Sequence, residues 1–178
     1  PEDVTATVET EAGAFVLKLY PGAAADKFAE LAEGGSFDGV AFETVAQKMF
    51  TQCPALSAET FGAEQNELAC VYGAVGFAMD GGEISDSLFV ITANELSGMS
   101  RAYASEHDFS AERAGMPEYE GKVLIFGQVL SGFDALDAIS EGATNGYTGG
   151  YAAENLVKIF SVTINRPAAE GGGAEDAQ

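Results

Sequence analysis

The sequence is poor in the residues that build metal, nucleic-acid and membrane-surface sites. It has no tryptophan, one histidine and two cysteines, and 8 lysines and arginines stand against 28 aspartates and glutamates in 178 residues. The two cysteines form no Cys-x-x-Cys pair and His107 is distant from both, so no metal site is predicted. The formal charge of −20 repels phosphate backbones and anionic lipids. Nucleic acid is therefore excluded as a partner.

Long apolar runs and phosphate-binding loops are also missing. No stretch approaches the roughly 18 continuous apolar residues of a membrane-spanning helix. The glycine pairs 81–82 and 149–150 precede no lysine-bearing helix, so no nucleotide cofactor is predicted. No other cofactor is predicted either. The acidic composition and a start at Pro1 without methionine favour a compartment outside the cytosol. An organelle lumen (the thylakoid lumen included), the periplasm and the secreted space all fit, and a position peripheral to a membrane complex is compatible with them.

Apolar alternation predicts a mostly β protein. Residues 4–10 and 13–20 alternate apolar and polar side chains around a short turn, as in a β-hairpin. Residues 21–35 change to helical spacing, with a proline before the start and two glycines at the end. A second short helix is predicted at 132–140. The remaining predicted strands cover 37–46, 48–53, 73–81, 87–93, 122–130 and 155–164, with loop-like sequence over 54–69.

About eight short strands with two helices predict a closed antiparallel eight-stranded barrel capped by the helices. Residues 94–117 are a polar insertion between two strands. We place one domain at 1–166 and a Gly/Ala/Glu-rich tail at 167–178. The 47 % of hydrophobic residues in a chain of this length fits a single domain with a sizeable core.

Five motifs follow one another with compatible spacing along the chain. They read "FDGVAFETV", "MFTQCP", "GAVGFAMDGG", "SLFVI" and "IFGQVLSGFDALDAI". In this order they resemble the cyclophilin-type peptidyl-prolyl cis-trans isomerases, and the resemblance runs from residue 4 to 164. It implies a cyclophilin-like barrel with a peptide groove on its surface.

The resemblance also implies that the active site is eroded. In the family an arginine stands two residues after the phenylalanine that corresponds to Phe42, and this chain has Thr44 there. We therefore assign no catalytic residue. Gln52 and Ala78 match family groove residues, and the other groove positions carry replacements. These replacements are Met49, Phe50, Leu88, Val90 and Val123.

Two functions are compatible with this pattern. The first is a cyclophilin-like domain without efficient isomerase activity that acts as a binding or scaffold subunit of a larger assembly. The second is a weak or specialised prolyl isomerase, a catalyst of protein folding. Gln52 is retained in both, either for hydrogen bonding at a strand end or for catalysis.

Two further expectations concern residues outside the groove. The insertion and its flank carry aromatic and methionine side chains of the kind enriched at interface centres. These predicted partner contacts are Met99, Tyr103, Phe109, Met116 and Tyr119. The alternative is a loop that packs these side chains back onto the barrel. Cys53 and Cys70 are either two buried thiols or a disulfide.

Overall fold

The computed structural model describes residues 3–46, 49–62, 68, 72–92, 122–141 and 152–167. The predicted mostly β fold with two helices is confirmed. The strands are β1 (Thr5–Thr10), β2 (Gly13–Leu19), β3 (Ala41–Ala46), β4 (Phe50–Gln52), β5 (Thr60–Phe61), β6 (Ala74–Asp80), β7 (Glu83–Ile91), β8 (Val123–Ser131) and β9 (Ala152–Asn165). The helices are α1 (Ala23–Glu33) and α2 (Phe133–Ser140).

The strands form one antiparallel sheet that closes on itself. Their order is β4-β3-β9-β1-β2-β8-β6-β7-β5. An additional pairing of the first strand, β4, with β7 closes the ring. Eight strands therefore make the barrel, and β5 is an extra strand attached to β7. Closure removes the unpaired edges that an open sheet would expose.

A cluster of phenylalanines on α1, β6 and β8 closes one part of the barrel interior. Phe28 of α1 is fully buried, and its ring centre lies 4.8 Å from that of Phe126 and 6.4 Å from that of Phe77. Phe37, just after α1, packs 5.3 Å from Phe28. The apolar residues of α1 recur at helical spacing, so they lie on one face, which is buried against the sheet. The same spacing is the signal that predicts a helix over residues 21–35.

β3 begins four residues later and β9 three residues earlier than predicted, and two further differences concern β5 and β7. Residues 54–69 were expected to be a loop, yet β5 pairs there with Ser85 and Ile84 of β7. β7 begins at Glu83, four residues before the predicted start, because Gly81 and Gly82 both adopt positive φ and form a tight hairpin turn. The insertion at 94–117 and the tail from 168 onward lie outside the described residues. No helix in the described part of the chain is long and apolar enough to cross a membrane.

The hydroxyl of Thr51 on β4 is buried without a hydrogen-bond partner among the described residues. An unpaired buried hydroxyl costs roughly 1–3 kcal/mol. We therefore expect Thr51→Val to raise the free energy of unfolding by about 1 kcal/mol, measured by urea denaturation. Thr10→Val is the matched control, because the Thr10 hydroxyl donates to Gly13 O at 2.7 Å and accepts from Ala12 N at 3.1 Å. The control should lose stability, and a loss in both variants would show that Thr51 has a partner in solution.

Candidate functional site

A row of residues crosses four strands on one face of the sheet. Thr44 of β3 lies opposite Gln52 of β4, Gln52 opposite Phe89 of β7, and Phe89 opposite Gly76 of β6. Directly opposite residues of antiparallel strands point to the same face. The neighbouring residue Phe77 packs into the phenylalanine cluster of the barrel interior. The row therefore lies on the face away from the core.

Alternation along the same strands adds further side chains to this face. Phe50 and Ser87 are two residues from Gln52 and Phe89, and Ala78 lies opposite Val123 of β8. We call this surface the candidate groove. It consists of Thr44, Phe50, Gln52, Ala78, Ser87, Phe89 and Val123.

Two aromatic rings form the apolar floor of the candidate groove. Phe50 and Phe89 stack with 4.7 Å between ring centres and 18° between ring planes. Phe89 is 6 % exposed, and Phe50 is half-buried. A stacked pair of this kind is a rigid apolar surface against which an aliphatic or pyrrolidine side chain can pack.

A short chain of hydrogen bonds holds Gln52. Its Nε2 donates to Ser87 Oγ at 2.9 Å, and Ser87 Oγ donates to the backbone oxygen of Cys53 at 2.6 Å. The Gln52 amide thus connects the end of β4 to β7. This geometry favours the interpretation that Gln52 is retained for hydrogen bonding at a strand end.

Thr44 lies at one end of the row, at the position where the resemblance implies an arginine. A long cationic side chain there would extend over the groove. It is half-buried, and its hydroxyl is short and uncharged. Arg166 is the only arginine in the described part of the chain, and it forms an ion pair with Glu33 of α1. Neighbouring Glu43 is exposed and adds a negative charge beside the strand. No described residue on the groove strands supplies a guanidinium.

The structure does not bring every predicted groove residue to this face. Leu88 and Val90 are 1 % and 0 % exposed and belong to the core, because they lie opposite Phe77 and Thr51 on the inner face. Phe89, between them, holds the aromatic position of the groove. Sequence patterning could not find it, since residues 86–91 are buried throughout and show no apolar alternation.

The remaining predicted residues lie at the margin or outside the described part. Met49 is 43 % exposed, in the turn between β3 and β4. Cys53 is a buried free thiol, and burial, with a smaller contribution from Glu43, raises its pKa, so it stays protonated. Cys70 and the five predicted partner contacts lie outside the described residues. Within the described ranges no three His, Cys, Asp or Glu side chains cluster as metal ligands.

Comparison with known proteins gives one family and its fold. The family model of the cyclophilin type peptidyl-prolyl cis-trans isomerases matches residues 5–164. The crystal structure of a cyclophilin type peptidyl-prolyl cis-trans isomerase from Cryptosporidium parvum superposes with a TM-score of 0.71 at 14 % identity, covering 94 % of this chain and 100 % of that one. A structure of the same protein in the presence of the dipeptide Ala-Pro gives 0.70 at 15 % identity, with 92 % and 99 % covered. No curated protein sequence matches the chain.

Proposed function

The chain belongs to the cyclophilin-type peptidyl-prolyl cis-trans isomerase family, and from that premise we propose that it is a binding or scaffold domain without efficient isomerase activity. The observation that carries the proposal is the row Thr44–Gln52–Phe89, in which the position of the family arginine holds a threonine. Among the described residues the domain keeps an apolar floor for a side chain, but none of them supplies the cationic donor. We propose that it serves as a subunit of a larger protein assembly.

The reaction itself explains why one missing donor has a large effect. Rotation about a peptide bond crosses a barrier of roughly 18–20 kcal/mol. In the twisted transition state the proline nitrogen loses amide resonance and becomes a hydrogen-bond acceptor. A fixed guanidinium that donates to this nitrogen stabilises the transition state more than the ground state. Losing one preorganised donor of this type costs about 10²–10³ in rate.

A second candidate function is supported by the groove floor. Phe50 and Phe89 are stacked and Gln52 is in place, so a proline side chain has an apolar surface to contact. Positioning of a substrate can lower a reaction barrier without a cationic donor. A weak or specialised isomerase is therefore the alternative, and the role of Gln52 separates the two functions.

We expect Gln52→Ala to reduce stability rather than catalysis. The hydrogen bond to Ser87 contributes about 1 kcal/mol, so Gln52→Ala should lower the free energy of unfolding by about that amount. Ser87→Ala should lower it further, because it also removes the hydrogen bond to the Cys53 oxygen. Because both remove the same bond, the double variant should lose less than the sum. Any residual isomerase rate, measured in a protease-coupled assay with a proline tetrapeptide, should change less than twofold. A residual rate lost in Gln52→Ala but retained in Ser87→Ala would favour the weak isomerase.

We propose further that the insertion at 94–117 carries partner contacts. The barrel closes through β4 and β7 without it, so its removal leaves the described core complete. Replacing 94–117 by a short Gly/Ser linker should leave the thermal unfolding midpoint nearly unchanged and abolish co-purification with the parent assembly. A variant with serine at Tyr103 and Phe109 should reproduce the loss. Unfolding of the deletion variant, or normal assembly, would contradict the proposal.

A further inference from the structure

A cleft of about 760 Å³ opens between α1, the segment that follows β4, and strands β3 and β9. Its volume lies within the range of roughly 300–1,000 Å³ typical of binding pockets. It shares no residue with the candidate groove. Its larger apolar lining residues are Leu31, Val40, Leu56, Phe61 and Leu156.

One face of β9 extends this cleft along the sheet. Leu156 and Lys158 line the cleft, and Phe160 is two residues further on the same strand. All three side chains are exposed, whereas Ile159 between the last two is buried, so the three lie on one face. We call these three residues the β9 stripe. It presents an apolar, a cationic and a second apolar side chain at successive positions of one face.

The apolar members of the β9 stripe are unusually exposed. Phe160 is 59 % exposed and Leu156 is 44 % exposed, and Met49 at 43 % is the only other exposed large hydrophobic side chain in the described part. Phe160 lies at a β-bulge, because Glu9 pairs with Ser161 and the next pair is Thr10 with Ile159. The bulge leaves Phe160 without a cross-strand neighbour. Exposed aromatic side chains beside a cleft are typical of interaction surfaces.

The charges around the β9 stripe restrict its occupant. Lys158 is exposed and forms no ion pair among the described residues, and Lys27 across the cleft forms an ion pair with Glu30 at 3.9 Å. Carboxylates are also near. Glu11 Oε2 accepts from Lys158 N at 3.3 Å, and Glu43 and Glu59 line the cleft.

A fourth carboxylate, Asp86, is already engaged. It is buried and accepts hydrogen bonds from Ser57 N at 3.1 Å and Ser57 Oγ at 2.6 Å. The surface is therefore not a general anion site, and an acidic tract would be repelled by the −20 charge of the chain. A single carboxylate opposite the ammonium of Lys158, with apolar side chains on either side, matches the stripe in charge and in spacing.

We propose that the β9 stripe and its cleft bind an extended segment of a partner protein that carries an apolar, an acidic and an apolar side chain at alternate positions. An extended segment repeats every two residues, as the stripe does, so the three side chains of each strand meet in register. The proposal holds whether or not the candidate groove is catalytic, because the two surfaces share no residue.

The probe is the peptide Leu-Ser-Glu-Ser-Leu-amide with fluorescein coupled to its N-terminal amine, which presents Leu, Glu and Leu on one face when extended. Binding to the full chain is measured by fluorescence anisotropy at moderate salt. Lys158→Glu should weaken binding at least tenfold, and Lys122→Glu should change it less than twofold. Lys122 is a matched control, because it is exposed and outside the cleft and the substitution changes the net charge equally.

Further variants test the apolar part of the stripe. Phe160→Ser should weaken binding about tenfold, and Met49→Ser, at a similarly exposed residue elsewhere, should not. The charge-reversed peptide Leu-Ser-Lys-Ser-Leu-amide, with fluorescein on the same N-terminal amine, should bind wild type more weakly than the Glu peptide and should prefer the Lys158→Glu variant. Lys158→Glu, Phe160→Ser and Lys122→Glu should keep the wild-type isomerase rate, so failure here is distinguishable from failure of the proposed function.

Three results would overturn the proposal. The first is no saturable binding of the Glu peptide at millimolar concentration. The second is equal weakening by Lys158→Glu and Lys122→Glu, which would indicate a net-charge effect only. The third is self-association in analytical ultracentrifugation that Phe160→Ser abolishes, which would show that a second copy of this chain covers the stripe.

Discussion

Thr44→Arg is expected to raise kcat/KM for a proline tetrapeptide about 10- to 100-fold over wild type without reaching rates typical of the family. Thr44 lies opposite Gln52 and on the same face as Phe89, so a guanidinium at this position extends over the floor of the candidate groove. It supplies the donor that the proline nitrogen needs in the transition state. The gain stays incomplete because Val123 also replaces a family groove residue, and an unsupported arginine is not preorganised.

The control for this variant is Thr163→Arg on β9. Thr163 is exposed and outside the candidate groove, and the substitution makes the same change of charge and side chain. It should leave kcat/KM unchanged in the protease-coupled assay. A Thr44→Arg variant at family-typical rates would show that the groove lacks nothing but the arginine. No gain at all would show that position 44 does not face the reacting bond.

Phe28→Ala is expected to lower the free energy of unfolding by roughly 3–5 kcal/mol, measured by guanidinium chloride denaturation. Phe28 is fully buried, and its ring packs against Phe37, Phe77 and Phe126. The truncation removes apolar contacts and leaves a cavity that the barrel cannot close, because β6, β8 and the turn after α1 fix its walls.

Phe160→Ala is the matched control, with the same change of side chain at a site 59 % exposed. It should change the free energy of unfolding by no more than about 0.5 kcal/mol. A loss below about 1 kcal/mol in Phe28→Ala would mean that α1 does not close the barrel in solution. A large loss in Phe160→Ala would mean that the exposed face of β9 is covered in the free chain.

Most of the barrel could be predicted because its strands and helices carry local signals. The hairpin at 4–20 alternates apolar and polar residues because one of its faces packs on the core, and α1 begins after a proline and ends at glycines. β5 has only two residues, so it has no alternation to detect. β5 pairs with β7 only because the chain after Pro54 folds back alongside that strand.

The candidate groove was only partly predictable for a related reason. Thr44, Gln52, Phe89 and Gly76 are far apart in the sequence, and they form a row only through the register of four strands. A shift of one residue in β7 exchanges Phe89 for Leu88 or Val90. The motif comparison assigned Leu88 and Val90 to the groove. Because β7 is buried on both faces, its sequence does not indicate which of its residues face the groove.

The β9 stripe illustrates a third limit of sequence reasoning. The sequence predicts a strand at 155–164, but apolar residues fall on both of its faces. The bulge near Phe160 and the change of register between Phe42 and Thr44 decide which side chains become exposed. Both depend on neighbouring strands from distant parts of the chain.

The central claim is the proposal that this cyclophilin-type domain lacks efficient catalysis, because none of the residues that the structure describes brings a guanidinium to its groove. The most direct test is the isomerase rate of the wild-type chain in the protease-coupled assay, beside an ordinary active cyclophilin at equal concentration. Loss of one preorganised donor predicts a kcat/KM about 10²–10³ lower, at or below ~1 % of the active enzyme. A wild-type rate well above that level, abolished by Gln52→Ala, would contradict the claim and make the chain a working prolyl isomerase.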